Sequence, residues 1–320
     1  MQVGSLLWKS IGDWGNHTAA IRDDGTLWTW GNASSGKLFL GNTTNQSVPQ
    51  QVGSLTDWAS TGLAETDCTM AIRSNGTLWG SGDNYKGALG TNNLTNYSSP
   101  KQVGSLTTWA QSSSGHNQTL AIKTDGTLWA WGSNGFGECG LGNTTQYSSP
   151  VQVGSLTNWK QISCGRSGSI AVKTDGTLWS WGNGQYGVLG HTTGTCSSPV
   201  QVGSSTEWAS VSMGPGRVGA IQTDGTLWTW GNSNYGELGH GNTSRPASPK
   251  QVGDLTDWSK FSLRVHNSAA LKTDGTIWAW GRNNSGELGL GNTTYYSSPK
   301  QVGSLTTWVQ ISTGKQFMGG

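Results

Sequence analysis

The chain has 320 residues, of which only 11% are charged, and a formal net charge of +2, so it carries neither a basic stripe for nucleic acid nor an acidic tail. Its length exceeds one ordinary core, and fifty glycines with nineteen tryptophans but few Leu, Ile or Phe argue against a helical globule and for a turn-rich chain with an aromatic interior. In chain order, Gln2-Val3-Gly4 leads to Trp8, and residues 24–31 read DGTLWTWG. The phrase returns as SNGTLWGSG around Trp79, then as DGTLWAWG, DGTLWSWG, DGTLWTWG and DGTIWAWG ending at Gly132, Gly182, Gly231 and Gly281. Its first tryptophans, Trp28, Trp79, Trp129, Trp179, Trp228 and Trp278, lie 49 to 51 residues apart. Such a period marks a propeller or solenoid.

Each unit divides into four expected strands. In one copy, WKQIS at 159–163 alternates apolar with polar residues and reads as the first, and SIAVKT at 169–174 as the second. Asp175-Gly176 then predicts a two-residue type I′ hairpin, with positive φ at both positions. TLWSWG at 177–182 runs back as the third strand, with Leu178 and Ser180 on one face and Trp179 and Trp181 on the other. After a Gly/Asn-rich connection, SSPVQVG at 197–203 carries Pro199 and reads as an outer, edge strand. One such sheet cannot bury both faces, whereas identical sheets stacked face to face shield one another. Eighteen of the nineteen tryptophans occupy repeat slots, seven in the VGSLxxW phrase and eleven in LWxW, with Trp14 outside. They are therefore expected to be architecture, not a platform for stacking sugars or bases.

The string AIKTDGTLWAWGSNGFGECGLGNTT, followed by SSPVQVG, resembles the repeat of the regulator of chromosome condensation family. That repeat carries G-x-x-H-S-L-A-L, D-G-x-V-Y-x-W-G and N-x-x-G-Q-L-G-x-G stretches, matched here in order by, for example, Asp274-Gly275, Trp280-Gly281 and 284–289. The likeness covers essentially the whole chain. It implies a β-propeller with about fifty residues per blade and seven blades in the best-known members. The family's eukaryotic founder is an exchange factor for a small GTPase that binds chromatin, using an inserted wedge and a basic tail. Neither device is visible here, so exchange activity is not expected. A secreted bacterial relative inhibits an enzyme with its loop face, which implies a second way of working.

The fold expected is all-β: a single β-propeller domain of four-stranded antiparallel blades over residues 1–320, with units at roughly 8–57, 58–108, 109–158, 159–207, 208–257 and 258–307. The partial unit 308–320 is expected to be completed by residues 1–7, giving seven blade positions with an incomplete last blade and hidden sheet edges. A six-bladed ring, an open arc or a natural chain running beyond Gly320 are the alternatives. No signal peptide is seen and no run of eighteen apolar residues exists, so membrane insertion is not expected.

Between first and second strands the copies diverge, and these loops should emerge together at one end. They supply the candidate binding residues Glu65, Asp67, His116, Arg166, Arg217, Arg264 and His266. No catalytic set is proposed. The five histidines fall in different units at different phases, so neither a metal site nor a cofactor is expected. The carboxylates Asp24, Asp125, Asp175, Asp224 and Asp274 are explained by turn geometry, since Asn75 takes the same place in one copy. The cysteines Cys68, Cys139, Cys164 and Cys196 are read as apolar fillers, in preference to a Cys139–Cys196 bridge. Sequons such as Asn42, Asn143, Asn242 and Asn292 follow from composition. The leading functional expectation is a non-enzymatic structural or protein-binding module of a bacterial or viral-like member, extracellular, at the cell surface or on a virion. It would engage a protein partner or assemble with itself, with glycan contact also compatible. The alternative is a soluble protein-binding regulator or enzyme inhibitor.

Overall fold

The computed structural model describes residues 7–14, 16–63, 68–313 and 318–319. Six four-stranded antiparallel sheets follow one another along the chain, each in sequential order. They are blade 1 (from Trp8–Trp14 to Gln46–Gln51), blade 2 (from Trp58–Leu63 to Tyr97–Gln102) and blade 3 (from Trp109–Ser114 to Tyr147–Gln152). Blade 4 runs from Trp159–Cys164 to Thr195–Gln201, blade 5 from Trp208–Gly214 to Lys250–Gln251, and blade 6 from Trp258–Leu263 to Tyr296–Gln301. The all-β propeller expected from the repeat is therefore the fold.

The Asp-Gly hairpin forms, but not as a type I′ turn. Gly176 has φ +75°, whereas Asp175 is not among the residues with positive φ. Gly176 N donates to Lys173 O and Lys173 N to Thr177 O, which makes a three-residue loop ending in a left-handed glycine. Side chains close it. Asp175 Oδ1 accepts from Thr177 N at 3.0 Å and from Thr177 Oγ1 at 2.6 Å, and Trp179 Nε1 donates to Thr177 Oγ1 at 2.8 Å. The same Asp–Thr–Trp relay recurs at Asp24, Asp125, Asp224 and Asp274, and with Asn75 as acceptor in blade 2. The repeated words thus encode a hydrogen-bonded device as well as a strand. The glycine is also demanded from outside, because a Cβ at Gly176 would lie 1.8 Å from Thr206 O of the link to blade 5.

Burial lies between blades. One core cluster joins Leu120, Leu128 and Cys139 of blade 3 to Trp159, Ile162 and Trp181 of blade 4, and equivalent clusters fill the other four gaps from blade 1 to blade 6. Trp159 meets Trp179 and Trp181 edge-on at 6.3 and 6.0 Å, with Lys173 Nζ 3.6 Å from the Trp179 ring centre. Trp181 is fully buried and its Nε1 donates to Glu138 O of blade 3. First strands of successive blades neighbour one another. From blade 3 to blade 5 side chains tie these strands together: Gln111 Oε1 accepts from Ile162 N, Ser113 Oγ from Cys164 N, Gln161 Oε1 from Val211 N and Ser163 Oγ from Met213 N.

The expected seventh position is not a blade. After Gln301 the described residues make only Ser312–Thr313 and Met318–Gly319, paired with each other. Ser312–Thr313 lies against Trp8–Trp14 of blade 1 and against Trp258–Leu263 and Asn267–Lys272 of blade 6. Among the described residues after Gln301, no LWxW phrase supplies a third strand whose indoles could fill another gap. Of residues 1–7, expected to complete the seventh position, 1–6 lie outside the described residues.

Candidate functional site: a cleft on the loop face

Because strands alternate in direction, the 1–2 and 3–4 loops of every blade share one end, and the Asp-Gly hairpins and blade-to-blade links occupy the other. On the first of these faces a cleft of about 680 Å³ lies over blades 3, 4 and 5, with Tyr85 and Lys86 of blade 2 at its edge. Its walls come from both sets of loops, including His116 to Gln118, Gly165 to Gly168 and Met213 to Gly216. Tyr85, Phe136 and Tyr186 stand at the cleft with 51%, 47% and 48% of their surface exposed, while most large apolar side chains of the chain are buried. Tyr186 is held at φ +64°, a conformation unusual for a bulky residue.

The structure sorts the candidate residues of the divergent loops into four groups. Glu65 and Asp67 lie outside the described residues. His116 and Arg166 line the cleft, Arg166 exposed and His116 half-buried against the amide of Asn117, which also donates to Tyr85 Oη at 3.3 Å. Arg217 and Arg264 are buried, not presented on the rim. Arg217, 1% exposed, donates from Nη2 to Glu237 Oε1 at 3.0 Å, from Nε to Asn232 O at 3.0 Å, and from Nη1 to Arg264 O and to Val265 O of blade 6. Burial pulls its guanidinium down from its ordinary value and the Glu237 carboxylate opposes that shift. This side chain fastens two loops together. His266 belongs to a separate patch, its ring 5.4 Å from Tyr235, and burial, reinforced by Arg282, lowers its pKa.

Residues of the 3–4 loops were missed from sequence. The position before the loop glycine reads Ser35, Lys86, Phe136, Tyr186, Tyr235 and Ser285 in the six blades, so its aromatic run over blades 3 to 5 was a legible signal. Among the described residues, no group of three His, Cys, Asp or Glu gathers as a metal site. No disulfide joins Cys139 to Cys196, and burial pushes the Cys164 thiol up to about 12, which leaves it protonated and unreactive. No helix is long and apolar enough to cross a membrane among the described residues.

The family profile of the RCC1-like domain matches residues 10–319. The chain belongs to the RCC1-like domain family. Among solved structures, human WBSCR16 superposes on this RCC1-like chain with a TM-score of 0.84 at 20% identity, covering 98% of this chain and 86% of that one. Prp20p from Saccharomyces cerevisiae gives 0.82 at 21% identity, covering 97% and 81%. Likeness at these identities establishes the fold. In sequence, E3 ubiquitin-protein ligase HERC2 of Homo sapiens is 32% identical over 95 residues, 28% of this chain and 2% of that protein. Protein RCC2 homolog of Danio rerio is 32% identical over 80 residues, 25% of this chain and 16% of that protein. The aligned stretches therefore span much less than two thirds of either relative. These relatives are eukaryotic, and the expectation of a bacterial or viral-like member finds no support among them.

Proposed function

We propose that this RCC1-like propeller is a non-enzymatic, protein-binding regulator that receives a segment of a partner protein in the cleft over blades 3 to 5. The observation that carries this reading is the concentration of exposed aromatic side chains, Tyr85, Phe136 and Tyr186, around one concave site on the face where the blades cease to repeat. Exposed rings over a rigid, water-accessible hollow are the usual anchors of protein interfaces. The family supports the same direction: the structure of Prp20p is reported with its binding to Gsp1p and histones. An extracellular or virion-surface role rests on composition alone.

Affinity capture on the immobilised 320-residue chain tests the proposal. A single stoichiometric partner is expected, and the triple variant Tyr85→Ala, Phe136→Ala, Tyr186→Ala should bind it about 30-fold more weakly or worse. A control carrying Leu106→Ser and Leu156→Ser, exposed on links at the opposite end, should retain it. Equal losses in both variants, or recovery of self-assembled chain alone, would count against the regulator.

A further inference from the structure

The 3–4 loops of blades 3, 5 and 6 share a buried carboxylate: Glu138, Glu237 and Glu287 each accept the backbone N–H two residues back, from Phe136, Tyr235 and Ser285 at 2.7 to 2.8 Å. Blade 5 neutralises its own with Arg217, the first residue of its second strand. In blade 6 the Arg282 Nε stands 4.0 Å from Glu287. Blade 3 does neither. Its residue at the place of Arg217 is Gln118, whose Nε2 donates to Gly165 O at 2.9 Å. That bond repeats the one from Arg217 to Arg264 O, so the tie to the next blade survives while the charge on the glutamate is left without its cation. Glu138 is 3% exposed, a hydroxyl from Ser133 at 3.1 Å stands where blade 5 has a guanidinium, and no ion pair among the described residues involves it. It lines the 680 Å³ cleft.

A desolvated carboxylate with only neutral donors is costly, and a cation brought to it recovers that cost. Blade 4, next along the ring, has Gly168 and Val188 at the two equivalent places, so neither brings a charged group to the space that Glu138 lines. Phe136 and Tyr186 stand over the same space. We infer that Glu138 receives an arginine side chain of the partner, its guanidinium taking the part that Arg217 plays within blade 5. Arginine is favoured over lysine because the blade 5 site uses the fork, with separate nitrogens on a carboxylate and on loop carbonyls, and because flat rings flank the entrance. Lys86 and Arg166, at the mouth, select acidic residues on either side of that arginine. This inference rests on the cleft being the partner's seat.

The test is a fluorescence titration of the full chain with a labelled Gly-Asp-Arg-Glu-Gly peptide, its lysine analogue, and its citrulline analogue, which keeps the shape and loses the charge. Saturable binding of the arginine peptide, weaker binding of lysine and loss with citrulline are expected. Glu138→Gln should weaken the arginine peptide about 30-fold. Gln118→Arg should supply the cation internally, raise the melting temperature and abolish peptide binding. Should that variant misfold, the Glu138→Gln arm decides. Equal binding of arginine and citrulline peptides, unchanged binding in Glu138→Gln, or no binding of any peptide overturns the inference. Partner capture that depends on Tyr85, Phe136 and Tyr186 would survive each of those results, so the two proposals fail separately.

Discussion

At the scale of single residues, the Asp–Thr–Trp relay explains why the chain rewrites the same words. The threonine hydroxyl accepts from an indole and donates to a side-chain carbonyl or carboxylate oxygen, so Thr and Trp are fixed together with an acceptor that is Asp in five blades and Asn75 in blade 2. Five of the six acceptors are ionisable. The hydroxyl of the threonine two residues on, followed by its backbone N–H, holds Asp24, Asp125, Asp175, Asp224 and Asp274 below the usual carboxylate range. A depressed folded-state pKa contributes stability that is fully present above the unfolded value, about 3.9, and is lost as pH falls through the folded value. Acid unfolding below about pH 4 is therefore expected to draw on these five turns. Replacing all five by Asn, which in blade 2 makes the same two bonds from Asn75, should flatten that dependence and lower stability at neutral pH by the contribution that wild type loses on acidification. Tryptophan fluorescence followed from pH 7 to pH 2 measures it; an unaltered acid midpoint would contradict the relay's electrostatic part.

At the scale of elements, the hairpin and the loop ties show what the sequence did and did not reveal. Asp-Gly, with Asn75-Gly76 in blade 2, located every second-to-third connection, but the dipeptide alone does not distinguish a two-residue from a three-residue loop; that choice depends on the following threonine, whose hydroxyl and N–H close the turn. Arg217 looked like a rim charge because sequence carries no burial. Its partner Glu237 is twenty positions on, and blade 5 alone pairs Arg with Glu at these two slots, a coincidence visible only once the slots are aligned. The cleft is hidden in the sequence for a related reason: the 3–4 loops read as plain Gly/Asn-rich connections, although their direction puts them beside the 1–2 loops. Removing the Arg217 cation should strand Glu237, 0% exposed, as an uncompensated buried charge. Arg217→Met is accordingly expected to cost about 3–5 kcal/mol in urea unfolding, and adding Glu237→Gln should recover part of it. Were Arg217 a surface contact only, the single variant would unfold at the wild-type midpoint.

At the scale of the whole molecule, the propeller is a line of pairwise interfaces bent around an axis. Each described core is shared by two adjacent blades, so stability should behave as a sum over neighbours more than as one cooperative interior. The two tryptophans of LWxW are unequal in this respect, a distinction that strand periodicity cannot make. Trp179 is half-buried beside Lys173 and its hairpin, whereas Trp181 is fully enclosed and its indole N–H reaches Glu138 O in the preceding blade. Trp181→Ala should leave a cavity between blades 3 and 4 and cost about 3–5 kcal/mol, with Trp179→Ala costing less. Hydrogen exchange resolves where that loss goes. Amides of the second and third strands of blades 3 and 4 should lose most protection, those of blade 5 less, and those of blade 1, on the far side, almost none. Equal acceleration in all six blades would mean that the ring opens as one unit, and the nearest-neighbour account of its stability would have to be abandoned.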